Sequence, residues 1–585
     1  MSAGLIIIIA LVIVIVGYQA YARKIDREVI KADPKRATPA VMYQDGVDFM
    51  PASASVLFGY QFKSIAALGP IVGPIVAAQW GWLPALLWVL LGVFFIGWVQ
   101  DYASAVMAMR SDGLTLGGLS YKFISPRARS ILLSFLYFYL LLIMGAFGFV
   151  VAGLLANPKV PIGFIILTLS GVLAGYMTYT LKKDLMMTTV ITVALAIFGI
   201  WLGQTGPAQS IVEAINGGKD SFVLYNTPYG PMKFSVWLWG IFALAFCYLG
   251  SVLPIWQFAQ PVNYTSFWLI AMGIVGSIIG ILLASVGVGD VNASYSAMPA
   301  YVGFKIHLGP LWPILFVTIS CGAISGWHSL VSTSGTARQL EKETDALPVG
   351  AGAMFFEAIL AVLSLTFAAT SVGLYDPDKG YKLTVKAGAV FAKGIATFLG
   401  VLGIPQSFGV AFGSAFLAIM ALTVMQLVLR FMRIASAELV GDKIPAFKNP
   451  HVGSLVAILF TLLILWTSFW QQIWVLFGSS NQLFAGLALM LITIWLAREG
   501  KPHGWTFWPA AFMYVTTVAA LLYTGGSVLL KVLGGKVSGT AFVIGNTIAG
   551  LIAIFLVIAA IILLIDGWRS FSEAKSQTAP AAGGK

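Results

Sequence analysis

Long apolar runs dominate the 585-residue chain and decide what it can fold into. The hydrocarbon core of a bilayer is about 30 Å thick, so a transmembrane helix needs ~20 mostly apolar residues. The weakly apolar stretch 386–403 contains Lys386 and Lys393 and is either a further span or a short surface helix. We therefore predict an all-α, polytopic membrane protein with about fifteen transmembrane helices. The predicted spans are 4–22, 55–79, 83–109, 130–156, 161–181, 185–203, 235–257, 265–289, 309–336, 350–373, 408–429, 451–469, 473–497, 507–527 and 541–565.

Composition supports this interpretation, since only 10% of the residues are charged and the mean hydropathy is +0.91. Soluble domains carry about 25% charged residues, which excludes a cytosolic enzyme, a nucleic-acid-binding protein and a disordered scaffold. The first apolar run has no basic region before it and no clear cleavage site after it, so we expect a retained span rather than a signal peptide. Cys247 and Cys321 lie in apolar runs and are interpreted as packing residues.

The net charge of +12 is explained by orientation in the membrane rather than by an acidic partner. Cytoplasmic loops of membrane proteins collect Lys and Arg. With the N-terminus outside and 386–403 not spanning, 23 of the 34 basic residues fall in inside segments and 10 in outside segments. We therefore predict an inner-membrane protein with its C-terminus in the cytoplasm. The predicted divisions are an N-terminal helix and basic loop (1–40), a ten-helix core (41–430), four additional helices (431–566) and a disordered tail (567–585).

Glycine and proline interrupt two of the predicted spans. Proline removes a helical hydrogen bond, and backbone freed in this way is tolerated at membrane depth only if protein buries it or it lines a cavity. A simple proline kink is the alternative for either span alone. Counted from 55–79 as the first, 235–257 is the sixth span, which is where a five-plus-five inverted repeat of the leucine-transporter type places its two discontinuous helices around the substrate. The predicted substrate-binding residues are Gly69, Pro70, Gly73, Pro74, Gly250, Ser251, Pro254, Trp256 and Gln257, with His328 added from the eighth span.

The eighth span of this core, 309–336, is rich in hydroxyl side chains. In proteins similar to the leucine transporter, hydroxyls of this helix and carbonyls of the first helix often form a cation site. Helix packing by small residues and hydroxyl bonds to the backbone are the alternative. His328 is either a structural histidine or a ligand of substrate or proton. We expect any cation to lie between carbonyls near Gly69 and the predicted ion-binding residues Ser332, Thr333, Ser334 and Thr336.

Few ionisable residues lie inside the spans, and such residues are functional candidates by default. Asp101 and Glu357 are candidates for coupling, with a structural ion pair or exposure to headgroups as alternatives. Lys63 is expected to extend to the interface. Asn481 and Gln482 either hydrogen-bond across helices or face a cavity, and we favour a role in packing. Nucleotide-binding and metalloprotease motifs are missing from the sequence, so we predict neither an enzyme nor a cofactor or metal.

Several stretches resemble the carbon starvation protein A family. They are YQDGVDFMPAS at 43–53, ALGPIVGPIVAAQWGWLPALLW at 67–88, SVLPIWQFAQPVNY at 251–264, CGAISGWHSLVSTSGT at 321–336 and FGSSNQLFAGLALM at 477–490. The resemblance covers roughly 41–500. It implies secondary active transport of small organic solutes, peptides or pyruvate, usually driven by a cation gradient, on a leucine-transporter-like core.

The chain departs from this family at positions that commonly titrate. Tyr60 and Gln61 stand where two histidines are common, Gln100 where a histidine precedes the aspartate, and Gln426 within a stretch that commonly contains Asp-Thr. Glutamine and tyrosine do not exchange protons near neutral pH. The titrating candidates that remain are Asp101, Glu357 and His328.

The sequence therefore predicts a transporter that works by alternating access and carries carboxylate-bearing solutes. Half-helix N-termini at the breaks would offer N–H groups to the carboxylate. The coupling cation is either H⁺ or Na⁺. A membrane peptide sensor without transport, an intramembrane enzyme and a passive channel are the alternatives; the first predicts saturable binding without flux, and the second needs a convergent nucleophile and base.

Overall fold

A computed structural model describes residues 1–578 of the chain. Among these residues, twelve helices are long and apolar enough to cross a membrane, or thirteen if one bent pair counts as a span. This confirms an all-α polytopic membrane protein. The bent pair is Ala54–Ile65 with Gly69–Trp80. The twelve are Ala3–Ile30, Trp82–Met109, Pro126–Leu155, Pro161–Thr180, Leu185–Leu202, Phe234–Val252, Ala259–Ser285, Glu343–Thr370, Gln406–Val440, Trp470–Arg498, Gly504–Leu533 and Thr540–Gln577.

Besides the bent pair within 55–79, two of the fifteen predicted spans do not form long continuous helices. Residues 309–336 form two short helices with an unwound segment between them. Residues 451–469 are represented by Pro450–Trp466, which has 17 residues. The uncertain stretch 386–403 becomes Ala387–Gly400, whose 14 residues are fewer than the ~20 that a span requires.

Short elements occupy the connections between the long helices. Three antiparallel strand pairs satisfy part of the backbone in loops that lie outside the spans. These pairs are Val223–Thr227 with Gly230–Lys233, Lys305–Ile306 with Gly309–Pro310, and Tyr375–Asp376 with Lys382–Leu383. The short helices in other connections are Pro39–Met42, Leu116–Phe123 and Gly206–Ile215.

Loops that the charge distribution assigned to one side of the membrane contact one another. Arg110 forms an ion pair with Glu343, and the Nε of Arg338 donates to the carbonyl of Gly113 at 3.0 Å. We call this the basic end of the bundle. At the opposite end, the N–H of Leu83 donates to the carbonyl of Ala300 at 3.0 Å. The loops therefore sort to two ends in the way the sequence predicts, and which end faces the cytoplasm stays a prediction.

The predicted disordered tail needs a correction. The last helix extends from Thr540 to Thr578, so residues 567–578 are helical, and residues 579–585 lie outside the described part of the chain. Aromatic packing explains the extension, because the ring of Phe571 stacks on that of Phe507 with centroids 5.7 Å apart.

The predicted discontinuity inside 235–257 is also corrected. The helix Phe234–Val252 is continuous and ends before Pro254, and the next helix begins at Ala259. A proline just beyond a helix end removes no helical hydrogen bond, so it ends the helix rather than breaking it. The second interior break lies instead within the predicted span 309–336.

Candidate functional site

The first broken helix, Ala54–Ile65 with Gly69–Trp80, bends by 45° at its break. Gly69 and Gly73 begin its second half and pack directly against another segment of the chain. A Cβ at Gly69 would collide with the side chain of Cys321, and one at Gly73 would collide with the carbonyl oxygen of Thr318. Glycine is therefore required here for close approach of two backbones.

The second broken helix contains the polar cluster predicted from the sequence. It is helical over Leu311–Leu315 and Phe316–Thr318, is unwound from 319 to 325, and resumes at Gly326–Ser334. Gly322 has a φ of +84° within the unwound segment, a conformation that favours glycine. Because Gly69 and Gly73 contact this segment, the two breaks face each other.

Side chains from outside the broken helices satisfy the unwound backbone. The amide of Asn481 donates to the carbonyl of Ser320 at 2.8 Å, and its oxygen accepts from the N–H of Trp327 at 3.1 Å. Gln482 donates to the carbonyl of Ile319 at 3.2 Å. Of the alternatives considered for Asn481 and Gln482, hydrogen bonding across helices is the one observed. Their helix, Trp470–Arg498, belongs to the set predicted as additional to the core, and it nevertheless builds the site.

Three buried ionisable side chains, which we call the triad, meet beside the second break. His328 Nδ1 lies 3.1 Å from Asp101 Oδ2, and His328 Nε2 lies 3.2 Å from Glu357 Oε2. All three side chains are no more than 1% exposed. The sequence nominated each residue separately, and the structure brings them together from three different helices.

The two sides of His328 differ in geometry. The contact with Asp101 is a hydrogen bond. The contact with Glu357 has an ion-pair distance but is not a hydrogen bond, and His328 Nε2 has no hydrogen-bond partner among the described residues. Buried polar atoms without partners are costly. This side of the imidazole therefore has unused capacity for a proton or a ligand.

Cys321, interpreted from the sequence as a packing residue, lies at the same place. One ligand atom each from Cys321, His328 and Glu357 falls within 4.8 Å of the others, and all three residues are buried. Zinc accepts a thiol, an imidazole and a carboxylate as ligands. A carboxylate on the second nitrogen of a ligating histidine, the position that Asp101 occupies at His328 Nδ1, commonly fixes the orientation of the ring. His328 and Glu357 are therefore chemically suited to a proton or, together with Cys321, to a divalent cation.

Lys63 is buried within the first broken helix rather than reaching the interface. Its side chain is fully buried and its Nζ donates to the carbonyl of Met420 at 3.3 Å. The expectation that Lys63 extends to the interface is wrong, because its helix is enclosed by other helices at that position.

The predicted ion-binding hydroxyls lie on the half of the second broken helix that leads to the basic end. Ser332 accepts a hydrogen bond from Gln61 at 3.1 Å, and Thr336 donates to the oxygen of the same side chain. Thr333 bonds to the carbonyl of Ser329 at 2.7 Å. The described contacts of Gly69 are to Cys321 instead. A cation site between Gly69 and these hydroxyls therefore stays a prediction.

The predicted substrate-binding residues from the span 235–257 lie at the basic end, apart from the facing breaks. Trp256 Nε1 donates to the carbonyl of Gly46 at 2.9 Å, and Gln257 is exposed. Arg430 donates to the carbonyl of Gly250 at 3.2 Å, so it caps the end of the helix Phe234–Val252. The structure thus brings Gly69, Pro70 and Gly73 against the second break, while Gly250, Ser251, Pro254, Trp256 and Gln257 form a separate group; Pro74 follows Gly73 within the same helix.

The positions that depart from the family pattern are all buried. Gln100 donates to the carbonyl of Ser325 at 2.8 Å and so supports the second break. The hydroxyl of Tyr60 and both amide atoms of Gln426 lack hydrogen-bond partners among the described residues. Gln100 and Gln61 therefore support the second broken helix through hydrogen bonds, and proton exchange by the triad stays a prediction.

Comparisons with known proteins cover most of the chain. A profile described as "Carbon starvation protein CstA" matches residues 2–377 and 378–520. The peptide transporter CstA of Campylobacter jejuni is 30% identical over 589 residues, covering 88% of this chain and 79% of the relative. The pyruvate/proton symporter BtsT of Escherichia coli is 29% identical over 609 residues, covering 89% and 81%. A manganese transporter structure from Eremococcus coleocola aligns at a TM-score of 0.41 and 14% identity, over 91% of this chain and 99% of that one. That score is too low to assign a fold, so the inverted repeat stays a prediction.

Proposed function

The chain belongs to the carbon starvation protein CstA family, and we infer that it is a secondary transporter of peptides or pyruvate in which the triad carries the coupling proton. One observation supports the coupling: an imidazole lies between two buried carboxylates, at 3.1 and 3.2 Å, beside the facing breaks. Ionisable groups at membrane depth commonly form proton relays. The named functions of the relatives supply the substrate classes.

The geometry supports different roles for the two carboxylates of the triad. Asp101 holds Nδ1 of His328 and so fixes the orientation of the ring. Glu357 faces Nε2 at 3.2 Å without a hydrogen bond between them, and is free to exchange a proton with it. Alternating access then requires that protonation change the packing between the two broken helices, which Gly69 and Cys321 bring into contact.

The test is uptake of labelled pyruvate and of a labelled dipeptide into proteoliposomes with imposed proton or sodium gradients. We expect His328→Gln to reduce proton-driven accumulation by about tenfold or more, equivalent to losing at least ~1.4 kcal/mol of coupling. His307→Gln, in a loop at the opposite end, is the matched control and should behave as wild type. Proton-driven accumulation that survives unchanged in His328→Gln would contradict proton coupling through the triad, and so would wild-type accumulation driven by the sodium gradient alone.

The membrane-sensor alternative makes a different prediction in the same experiment. It requires saturable binding of a peptide with no accumulation of label under either gradient. Uptake that exceeds binding to the protein excludes it.

A divalent cation held by Cys321, His328 and Glu357 is a second candidate occupant of this place, favoured by the position of Cys321. Metal analysis of the purified wild-type protein and of Cys321→Ser distinguishes the two. A stoichiometric metal that Cys321→Ser loses would identify a metal centre, whereas a metal-free protein with proton-driven uptake supports the relay.

A further inference from the structure

A cavity opens at the basic end of the bundle, beside the helix Gln406–Val440. Its volume is about 320 Å³, and its lining includes three cationic side chains and two carboxylates. We call this cavity the vestibule. The charged residues that line it are Arg338, Arg433, Lys448, Asp48 and Glu438.

The carboxylate of Asp48 is already engaged, which leaves the cations in excess. Asp48 lies 3.0 Å from a nitrogen of Arg430, a buried arginine outside the lining, and 3.4 Å from Arg433. Arg433 Nε is buried and has no hydrogen-bond partner among the described residues. Arg338 uses its Nε on the carbonyl of Gly113. The vestibule therefore offers unpaired donors on guanidinium groups, which suit a carboxylate.

A narrow gap continues from the vestibule toward the broken helices. It shares Ile434 and Glu438 with the vestibule and is also lined by Leu330 and Ser334 of the second broken helix. Its volume is about 10 Å³, which is room for about one water. We call this gap the neck. Together the vestibule and the neck form a route from the basic end to the second broken helix, closed at the neck.

Glu438 closes the neck by a bond across it. Its Oε1 accepts from the hydroxyl of Thr115 at 2.7 Å, whereas its Oε2 is buried without a hydrogen-bond partner in the described chain. Gly117 makes room for this carboxylate, since a Cβ there would collide with Glu438. An anion bound in the vestibule would repel Glu438 and so would favour the arrangement in which the neck is open.

We propose that the vestibule is a binding site for the carboxylate group of the transported solute, and that the Glu438–Thr115 bond is the gate behind it. The proposal rests on the proposed function, because it assigns the route of the same solutes. It adds a site at one end of that route and a chemical class for its ligand, namely small organic carboxylates held by Arg433 and Arg338.

The first experiment measures binding without transport, so that it stands apart from the proposed function. Thermal stabilisation of the purified full chain is titrated with pyruvate, with alanyl-alanine and with pyruvamide, which lacks the carboxylate. We expect pyruvate and the dipeptide to bind and pyruvamide not to. Because guanidinium–carboxylate bonds are charge-assisted, Arg433→Gln should weaken pyruvate binding about tenfold or more. Arg569→Gln, an exposed arginine in the last helix, is the matched control and should bind as wild type.

Two further variants keep the binding test informative if Arg433→Gln does not fold. Arg433→Lys keeps the charge and should restore part of the affinity. Lys448→Gln alters a side chain that is 62% exposed, and should weaken binding about two- to threefold at low salt, as expected for a screened charge.

The outcomes distinguish the vestibule as a carboxylate site from the proposed transport function. Equal pyruvate binding by wild type, Arg433→Gln and Lys448→Gln would overturn the vestibule as a carboxylate site, and so would equal binding of pyruvamide. Binding that depends on Arg433, together with no uptake into proteoliposomes, supports the vestibule and contradicts the proposed transport.

The gate is tested separately with a thiol at the inner side of the neck. Ser334→Cys should react slowly with a negatively charged thiol reagent and faster in Ser334→Cys/Glu438→Gln, since the glutamine removes the negative charge at the neck. The wild-type protein, whose two cysteines are buried, gives the background. Equal rates in both variants would contradict the gate.

Discussion

Asp48 lies in the loop before the first broken helix and joins it to the helix Gln406–Val440. Burial alone would raise the pKa of its carboxyl, but Arg430, Arg433 and Arg338 outweigh burial and hold the pKa below the ordinary 3.8. A carboxyl with a lowered pKa in the folded state stabilises the fold at pH values above its unfolded pKa. That stabilisation is lost as the pH falls through the lowered value.

Asp48→Asn should therefore lower the free energy of unfolding at pH 7 by about 1.5–3 kcal/mol, the usual range for hydrogen bonds to charged groups. The difference between wild type and variant should shrink as the pH falls below 3.8, where the wild-type carboxyl also becomes neutral. Thermal unfolding in detergent between pH 7 and pH 3 measures it. Asp442→Asn, at a side chain that is 86% exposed, is the control. A difference that stays constant with pH would show that Asp48 acts through shape rather than charge.

The sequence was informative about which residues matter, since charged side chains are rare inside apolar spans and therefore conspicuous. Asp101, His328 and Glu357 were nominated in this way. Their meeting was not predictable, because they come from helices that are distant in sequence and only the packing sets their distances. Cys321 is buried and free, as a packing residue is, and its place beside His328 was not predictable, because a thiol in an apolar run has the same pattern whether it packs or binds.

At the scale of elements, the contact between the two breaks depends on glycine. Gly73 lies against the carbonyl of Thr318 and the Cα of Ile319, which are backbone atoms and cannot rotate away. Gly153, in the helix Pro126–Leu155, has open space where its Cβ would lie. Alanine substitutions at these two helical glycines can therefore be compared. Both gain the general helix preference for alanine, and only the one at Gly73 meets close backbone packing.

Gly73→Ala should destabilise the protein by roughly 1–3 kcal/mol, as is typical of overpacking, and should reduce uptake. Gly153→Ala should be neutral or stabilising by up to ~1 kcal/mol, because alanine is the better helix former. Thermal unfolding and uptake of both variants provide the comparison. Equal behaviour of the two would contradict the close contact between the broken helices.

The position of the first break was predictable, and that of the second was not. Gly-Pro pairs at 69–70 and 73–74 lie in the middle of an apolar run, where only a break or kink can accommodate them. Pro254 gave a similar signal but follows the end of a helix. The unwound segment at 319–325 contains no proline, and its glycine and serines are equally typical of tight helix packing. Its support by Asn481 and Gln482 is a tertiary contact that no local pattern contains.

At the scale of the whole molecule, the loops sort to two ends in agreement with the charge distribution. The apolar runs can be counted directly in the sequence, but the number of continuous membrane-crossing helices could not be predicted from them. Hydropathy does not distinguish a continuous span from two half-helices or from a 17-residue helix such as Pro450–Trp466. The predicted orientation therefore rests on the grouping of the loops rather than on a count of helices.

We expect the basic end to face the cytoplasm. In intact cells, a membrane-impermeant maleimide should label Lys219→Cys, in a predicted outside loop, and should label Asp442→Cys, at the basic end, only after permeabilisation. The buried Cys247 and Cys321 should give little background. The opposite labelling pattern would invert the orientation, and labelling of both in intact cells would contradict the separation into two ends.

The pairing of the second break with Asn481 and Gln482 has a consequence for biogenesis. A ribosome completes the N-terminal part of a chain first, so residues 319–325 are made long before the helix Trp470–Arg498 that supplies those amides. Until that helix enters the bilayer, the carbonyls of Ile319 and Ser320 lack these partners at a depth where unpaired polar groups are expensive. A nascent chain would thus carry a polar defect that only its last quarter repairs. Chains released early would keep that defect, which gives membrane quality control a chemical mark by which to distinguish them from finished molecules.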